Sequence, residues 1–210
     1  MDDAIVQAVA NYAEKALGKE GFRYTCAVVA NCRMLVAELE EENEGIHSLD
    51  MNALIIAAYL HNISTAEFGF SDHHVKSAEM AVAFLHTLDA PEQLVSHVEQ
   101  IILTHTKAVA PEELDLIPLE GRILYDADKI GRLSGLAVVT SLIEFGARYP
   151  NRAVNAEILA AILRHIEERF IDLYQSLNTV PAQQLAKEKF GNTLAFLDGV
   201  IEHLSDATPV

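Results

Sequence analysis

The sequence predicts an all-α fold, and three observations carry that prediction. Apolar residues recur at helical spacing along almost the whole chain, no stretch alternates convincingly as a strand, and glycine, serine and proline fall where helices should stop or start. The periodicity places helices at about 3–17, 22–43, 49–62, 72–88, 91–106, 117–131, 134–147, 153–177 and 182–205. Gly18 and Gly45 suit helix C-termini, because glycine enters the left-handed backbone region without strain. Ser48 and Ser71 suit N-caps, whose hydroxyls can accept from free amides of the first turn. Pro91, Pro111 and Pro181 sit where helices should begin, at positions that have no N–H to satisfy. The longest irregular connections are expected at 63–70 and 108–118, and loops of that kind often border sites.

The chain has 210 residues, half of them hydrophobic and 22% charged. Those values suit one globular domain spanning 1–210, with a core over about 22–147 and C-terminal helices over about 153–205 packed on it. The formal net charge of −16 opposes general binding to nucleic acid or to an anionic membrane surface. It permits a phosphate-bearing small molecule if a bound cation reverses the sign locally. Cys26 and Cys32 are too few for a disulfide framework, and their spacing is not that of a zinc pair. With an acidic N-terminus and no apolar run long enough to span a bilayer, a cytoplasmic location is the expectation.

The functional signal lies in polar side chains that fall on apolar stripes. The segment 54–60 is apolar all round, as a central buried helix should be, and it runs into His61 and Asn62. Buried polar groups there need partners, since each one left unsatisfied costs about 1–3 kcal/mol. Asp126 shares a helix face with Leu119, Ile123, Ile130 and Leu133, where a carboxylate is costly unless a cation or several donors meet it. Asp128 shares its face with Leu124, Tyr125 and Arg132, which suits an exposed or salt-bridged role. His105 continues the stripe of Val98, Ile101 and Ile102, and His74 continues that of Ala78, Ala81 and Leu85. His47, His86, His97, His165 and His203 have mixed or polar neighbours and are read as surface residues.

Each of these residues alone has a bland reading: a hydrogen-bonded core histidine, an aspartate paired with a base, an asparagine ending a helix. Four such positions on four helices are better explained together, by a shared polar centre with a metal ion.

In order along the chain, LHNI, DHHVKSAEMA, ILTHTK and GRILYDADKIGRL resemble the bacterial HD-superfamily predicted hydrolases, and SLNTVPAQQLAKEKFGNTLAFLDGVIEHL resembles their closing helices. The resemblance spans about Arg23 to Leu204. It implies an HD-domain-like helical bundle around a divalent metal held by an H…HD…D set, and metal-assisted hydrolysis of phosphate esters or nucleotide anhydrides. On this resemblance His61 and Asp126 match metal ligands, while His74 and His105 sit where family members carry further histidines for a second metal or the substrate phosphate. The implied cofactor is a divalent ion (Mn, Fe, Co, Ni, Zn or Mg), the implied partner a phosphorylated small molecule or nucleotide, and a homodimer is an open alternative.

Departures from the family pattern fall within that same set. Asn62 stands where the doublet has aspartate, and the first histidine is replaced by Thr25, Cys26 or Val29, depending on register; no histidine precedes His47. Asn62 still offers a carbonyl oxygen for a metal. Cys26 could act as a thiolate for a softer metal, although a small core residue is the simpler reading. Lys76, Lys129 and Arg132 are candidate phosphate contacts beside a solvated-surface role. The site residues for hydrolysis are therefore His61, Asn62, His74, His105 and Asp126. The rival expectation is an HD-fold protein that no longer catalyses and binds a small ligand or partner through the same pocket. A third is a structural helical protein whose polar residues satisfy one another.

Overall fold

The computed structural model describes residues 3–41, 49–106, 116–133, 135–150 and 155–206. Among them there is no strand, and the helices are α1 Asp3–Glu41, α2 Met51–Leu60, α3 Thr65–Phe68, α4 His73–Thr87, α5 Glu92–Thr104, α6 Leu119–Ile130, α7 Gly135–Arg148, α8 Ala156–Gln175 and α9 Val180–Asp206. The chain divides into two compact units, Met1–Asp128 and Lys129–Val210. No helix among the described residues is long and apolar enough to cross a membrane.

In the first unit α2 is the central element. Ala53 to Ala58 and Leu60 are all buried, because α1 and α5 pack on it and α4 packs on α5. α1 carries Thr25, Val28, Val29, Cys32, Leu35, Val36 and Leu39 buried at three- and four-residue steps, the one-faced stripe that a packed helix requires. Gly18, at φ 68° and ψ 177°, breaks the helical path of α1, so the two expected helices run together across a kink. That φ is one glycine adopts freely.

Helix starts differ in detail from the sequence expectation. α2 is capped by Asp50, whose carboxylate accepts from the amides of Asn52 and Ala53 at 2.9 and 3.0 Å. Ser48, Gly45 and Pro111 lie outside the described residues. Ser71 does not cap α4; Asp72 precedes the helix at φ 52°, and its own side chain makes no cap bond. The one-turn helix α3 was not foreseen, since four residues give periodicity nothing to count. α5 follows Pro91 as expected, and Pro181 is the second residue of α9.

α6 approaches the end of α5 closely. A Cβ added at Gly121 would stand 2.5 Å from Thr104 Oγ1 and 3.3 Å from Ile117 Cγ2. Thr104 cannot simply turn away, because its hydroxyl donates to the Gln100 carbonyl at 2.8 Å. In the second unit α8 packs on α9 and more lightly on α7, with Leu163, Ile166 and Phe170 as the buried stripe of α8. The Asn155 side chain caps α8 by accepting from the Ile158 amide at 2.9 Å.

Replacing Gly121 with alanine should lower stability by about 1–3 kcal/mol through overpacking. Urea melts check this, and Thr104→Ala in the same chain should recover part of the loss. A Gly121→Ala protein as stable as the parent would show that the two helices are not in close contact.

Candidate functional site

The site is built on helix ends. His61 is the residue after α2 and His105 the residue after α5, both in helical backbone conformation and both buried. The last turn of any helix leaves carbonyl oxygens without amide partners. In each case the histidine returns to that turn: His61 Nδ1 lies 2.7 Å from the Ala58 carbonyl, and His105 Nδ1 2.6 Å from the Ile102 carbonyl. His73, the first residue of α4, makes the same contact with the Phe70 carbonyl at 2.9 Å. A carbonyl only accepts, so in all three rings Nδ1 carries the proton. In the neutral ring Nε2 then presents a lone pair.

The three rings stand close together. His61 and His105 meet edge to face at 5.1 Å between centroids, and His73 meets His105 at 5.6 Å. Burial lowers the pKa of His73 from its usual value; the Phe70 bond offsets part of this, and the neighbouring His61 and His74 add to the lowering. His73 is therefore neutral at pH 7. Its backbone is fixed by a serine pair: Ser64 Oγ donates to the His73 carbonyl at 3.0 Å, and Ser77 Oγ donates to Ser64 Oγ at 2.9 Å, both serines being fully buried.

Asn62 Nδ2 donates to His61 Nε2 at 2.8 Å, which leaves Asn62 Oδ1 buried with no hydrogen-bond partner. Asp128 Oδ1 lies 3.8 Å from His61 Nε2, too long for a direct hydrogen bond. Asp128 is held from α1 by Tyr24, whose hydroxyl donates to Oδ1 at 2.6 Å and also lies 3.1 Å from the Asp128 carbonyl. Asn31 donates to the Ala127 carbonyl at 3.0 Å. These bonds satisfy the last-turn carbonyls of α6 and pin its acidic segment to α1. Cys32, buried on the same α1 face, has its thiol pKa raised far above the ordinary range, by burial first and then by the charges of Asp128 and Asp126.

The sequence-derived residues fall as follows. His61, Asn62, His105 and Asp126 are buried, and the first three share the cluster just described. His74 is half-buried, with its ring 5.9 Å from that of His73. It is His73, not singled out from the sequence, that meets His105. Asp128 is not exposed but buried, and it is the carboxylate beside His61. The sequence signal that could have found it was the two-residue spacing in the DAD segment, which puts the two aspartates on different faces of a helix packed on more than one side. Glu120 was also missed. It is buried, accepts from the Asp50 amide at 2.7 Å and lies 3.6 Å from His97, which is thus half-buried rather than fully at the surface. His86, His165 and His203 are exposed, and His47 lies outside the described residues. Cys26 is half-buried; burial, then Glu14, raises its pKa, which disfavours the thiolate a metal would need.

Whether these residues suit the family's divalent ion depends on donor type and spacing. His61 Nε2, Asn62 Oδ1 and the Asp128 carboxylate are all lone-pair donors, and one of them is a buried oxygen with no partner. Two ligand atoms about 2.1 Å from one ion can be at most roughly 4.2 Å apart, so a 3.8 Å gap is within reach. A ligating histidine also commonly gives its other N–H to a backbone carbonyl, as His61 does. The set fits a cation in kind but is poor in charge, and the Asn62 amide has to leave Nε2 to admit one. Thr25 is buried with its hydroxyl unpartnered. Among the described residues no three His, Cys, Asp or Glu side chains are already gathered as a metal site.

A model of the HD domain matches residues 22–133, more than half of the chain, and the chain belongs to that family. Its fold recurs in solved bacterial structures. A Listeria innocua protein has a TM-score of 0.70 at 16% identity, covering 99% of each chain. An HD-superfamily hydrolase from Bacillus thuringiensis has a TM-score of 0.70 at 18% identity, covering 99% of this chain and 100% of that one. Bacillus subtilis YpgQ, solved in complex with ADP, has a TM-score of 0.63 at 17% identity, covering 97% of this chain and 95% of that one. A search of curated proteins finds no match.

Removing the Tyr24 hydroxyl should cost about 1.5–3 kcal/mol, the range for a hydrogen bond to a charged group. Thermal melts of Tyr24→Phe check this; an unchanged melting temperature would mean that Asp128 is not held from α1.

Proposed function

We propose that the first unit carries a hydrolase-type centre of the HD superfamily for a phosphorylated small molecule or nucleotide, with a weakened metal site. The observation that carries this reading is the His61 ring: its Nδ1–H is committed to Ala58, and its Nε2, which accepts from Asn62, lies 3.8 Å from Asp128 Oδ1. His61, Asp128 and the Asn62 carbonyl would hold the ion, with Asp126 as the second buried carboxylate of the segment. A bound divalent ion supplies the Lewis-acid charge that a phosphoryl group needs for attack by water. That charge matters here because the chain carries −16 and the Nδ1–H of each clustered ring is already committed to a backbone carbonyl.

The protein's own side chains have separable tasks. Tyr24 holds the Asp128 carboxylate in place from α1, and the Ser64–Ser77 pair holds His73 beside His105. His73 is neutral with Nε2 unprotonated, so it can accept a proton from an attacking water or a phosphate hydroxyl. Burial of His61 and His105 keeps bulk water from screening charge at the centre. The ADP complex of YpgQ makes a nucleotide the first substrate to try.

A second reading has its own observation. The Asn62 amide already occupies His61 Nε2 at 2.8 Å, and threonine replaces imidazole if Thr25 is the matching position. On that reading the centre keeps the fold, has lost the metal, and binds a ligand without turnover.

Metal-stripped protein titrated with Mn and Co, followed by hydrolysis assays across nucleotides and phosphate esters, separates the two. Even partners one layer out from a metal alter affinity by about 10–100-fold, so Asn62→Asp should tighten uptake by about tenfold or more. His61→Ala should abolish uptake and turnover together. Failure of the parent protein to take up metal or turn over any substrate, with uptake restored by Asn62→Asp combined with Thr25→His, would select the non-catalytic reading.

A further inference from the structure

Two aromatic rings stand exposed next to the histidine cluster and have no role in the chemistry above. Phe70 is 68% exposed and Phe68 46% exposed, in a chain whose other phenylalanines include core members such as Phe170. Scattered apolar side chains at a surface need no explanation. These two are different in being close in sequence, held in place and continuous with the site. The Phe70 and His73 rings meet in a T-shaped contact at 5.8 Å, and His73 leads on to His105 at 5.6 Å. The Phe70 carbonyl accepts the His73 Nδ1 proton at 2.9 Å, which ties the phenylalanine backbone to the cluster. Gly69 turns the chain between the two rings at φ 72°. Lys76 Nζ sits 4.4 Å from the centre of the Phe68 ring, and it is the one lysine or arginine in the segment 65–87.

We infer that Phe70, two residues along from the Phe68 ring that Lys76 covers, is a stacking platform for the base of a nucleotide whose phosphates reach toward the histidine cluster. The inference rests on the reading that the centre takes a phosphorylated small molecule. An exposed ring offers a flat apolar face, and a purine or pyrimidine stacks on such a face without needing specific hydrogen bonds. The ammonium of Lys76 supplies positive charge beside the rings, against the strong negative charge of the whole chain. An exposed ring face, the Lys76 ammonium and a cation held at the adjoining centre would together match a ligand with a planar base at one end and an anion at the other. A sugar phosphate or inorganic phosphate would use only the polar part.

The chain contains no tryptophan, so Phe70→Trp makes a single fluorescent reporter on the platform. Titration with ADP in the presence of Mn should quench its emission saturably, while pyrophosphate should bind without quenching. By calorimetry Phe70→Ala should weaken ADP roughly 5- to 150-fold, the scale of one base–aromatic stack, and leave pyrophosphate unchanged. Equal ADP affinity in the parent and Phe70→Ala, with no quenching of the reporter, overturns the platform while leaving the phosphate-binding centre standing. Absence of binding by both ADP and pyrophosphate to the parent protein overturns the platform and the reading beneath it. Self-association that disappears in Phe70→Ala, without ADP binding, assigns the rings to a second copy of the chain and also overturns the inference.

Discussion

A helix that ends inside a protein leaves carbonyl oxygens that water cannot reach, and the first unit meets that requirement with imidazole. His61 closes α2 and His105 closes α5, each by giving its Nδ1 proton to the carbonyl three residues back. The cost of leaving such an acceptor unmet, about 1–3 kcal/mol, fixes the tautomer. Once Nδ1 is committed, the neutral ring presents Nε2 as an acceptor, and the contacts around His61 follow from that. Asn62 donates to it, Asp128 stands off at 3.8 Å, and a cation is the species best matched to the whole set. What began as satisfaction of a helix end becomes a constraint on chemistry.

The acidic end of α6 adds the second half. Two aspartates in a buried segment would repel each other and desolvate at high cost unless something held them. Tyr24 and Asn31 on α1 serve that end of the helix, one at the Asp128 carboxylate and one at the Ala127 carbonyl. Both come from a face that also buries Thr25 and Cys32, so the same packing that fixes α6 leaves no ionised ligand on α1. At Asn62 and Thr25 the centre carries neutral, buried side chains. Fold and function separate here: the bundle needs shape and satisfied hydrogen bonds, whereas metal affinity needs charge.

The fold was legible because helical periodicity is a long-range signal. α2, apolar on every face, declared itself central, and the break at Gly18 fell where glycine suggested a helix end. The residues of the centre were legible where a polar group interrupted an apolar stripe, as with His61, His105 and Asp126. His73 and Asp128 escaped for opposite reasons. His73 begins its helix, where no preceding turn defines a stripe, and its backbone is held by the Ser64–Ser77 pair, which joins the start of α3 to α4. Asp128 has an arginine and a tyrosine among its helical neighbours, so its own helix suggests an exposed or salt-bridged role; in the fold it is buried, beside His61 and bonded to Tyr24 from α1. The caps misassigned at Ser71 and the short α3 reflect local competition that a few residues cannot decide in advance.

The central claim is the protonation pattern of the clustered imidazoles, and long-range proton–nitrogen NMR correlation on nitrogen-labelled protein at pH 7 reads it directly. The account predicts that His61 and His105 each carry a proton on Nδ1, and that titrating a divalent ion shifts the Nε2 resonance of His61. A His61 ring carrying its proton on Nε2 and none on Nδ1 would contradict the account at its root.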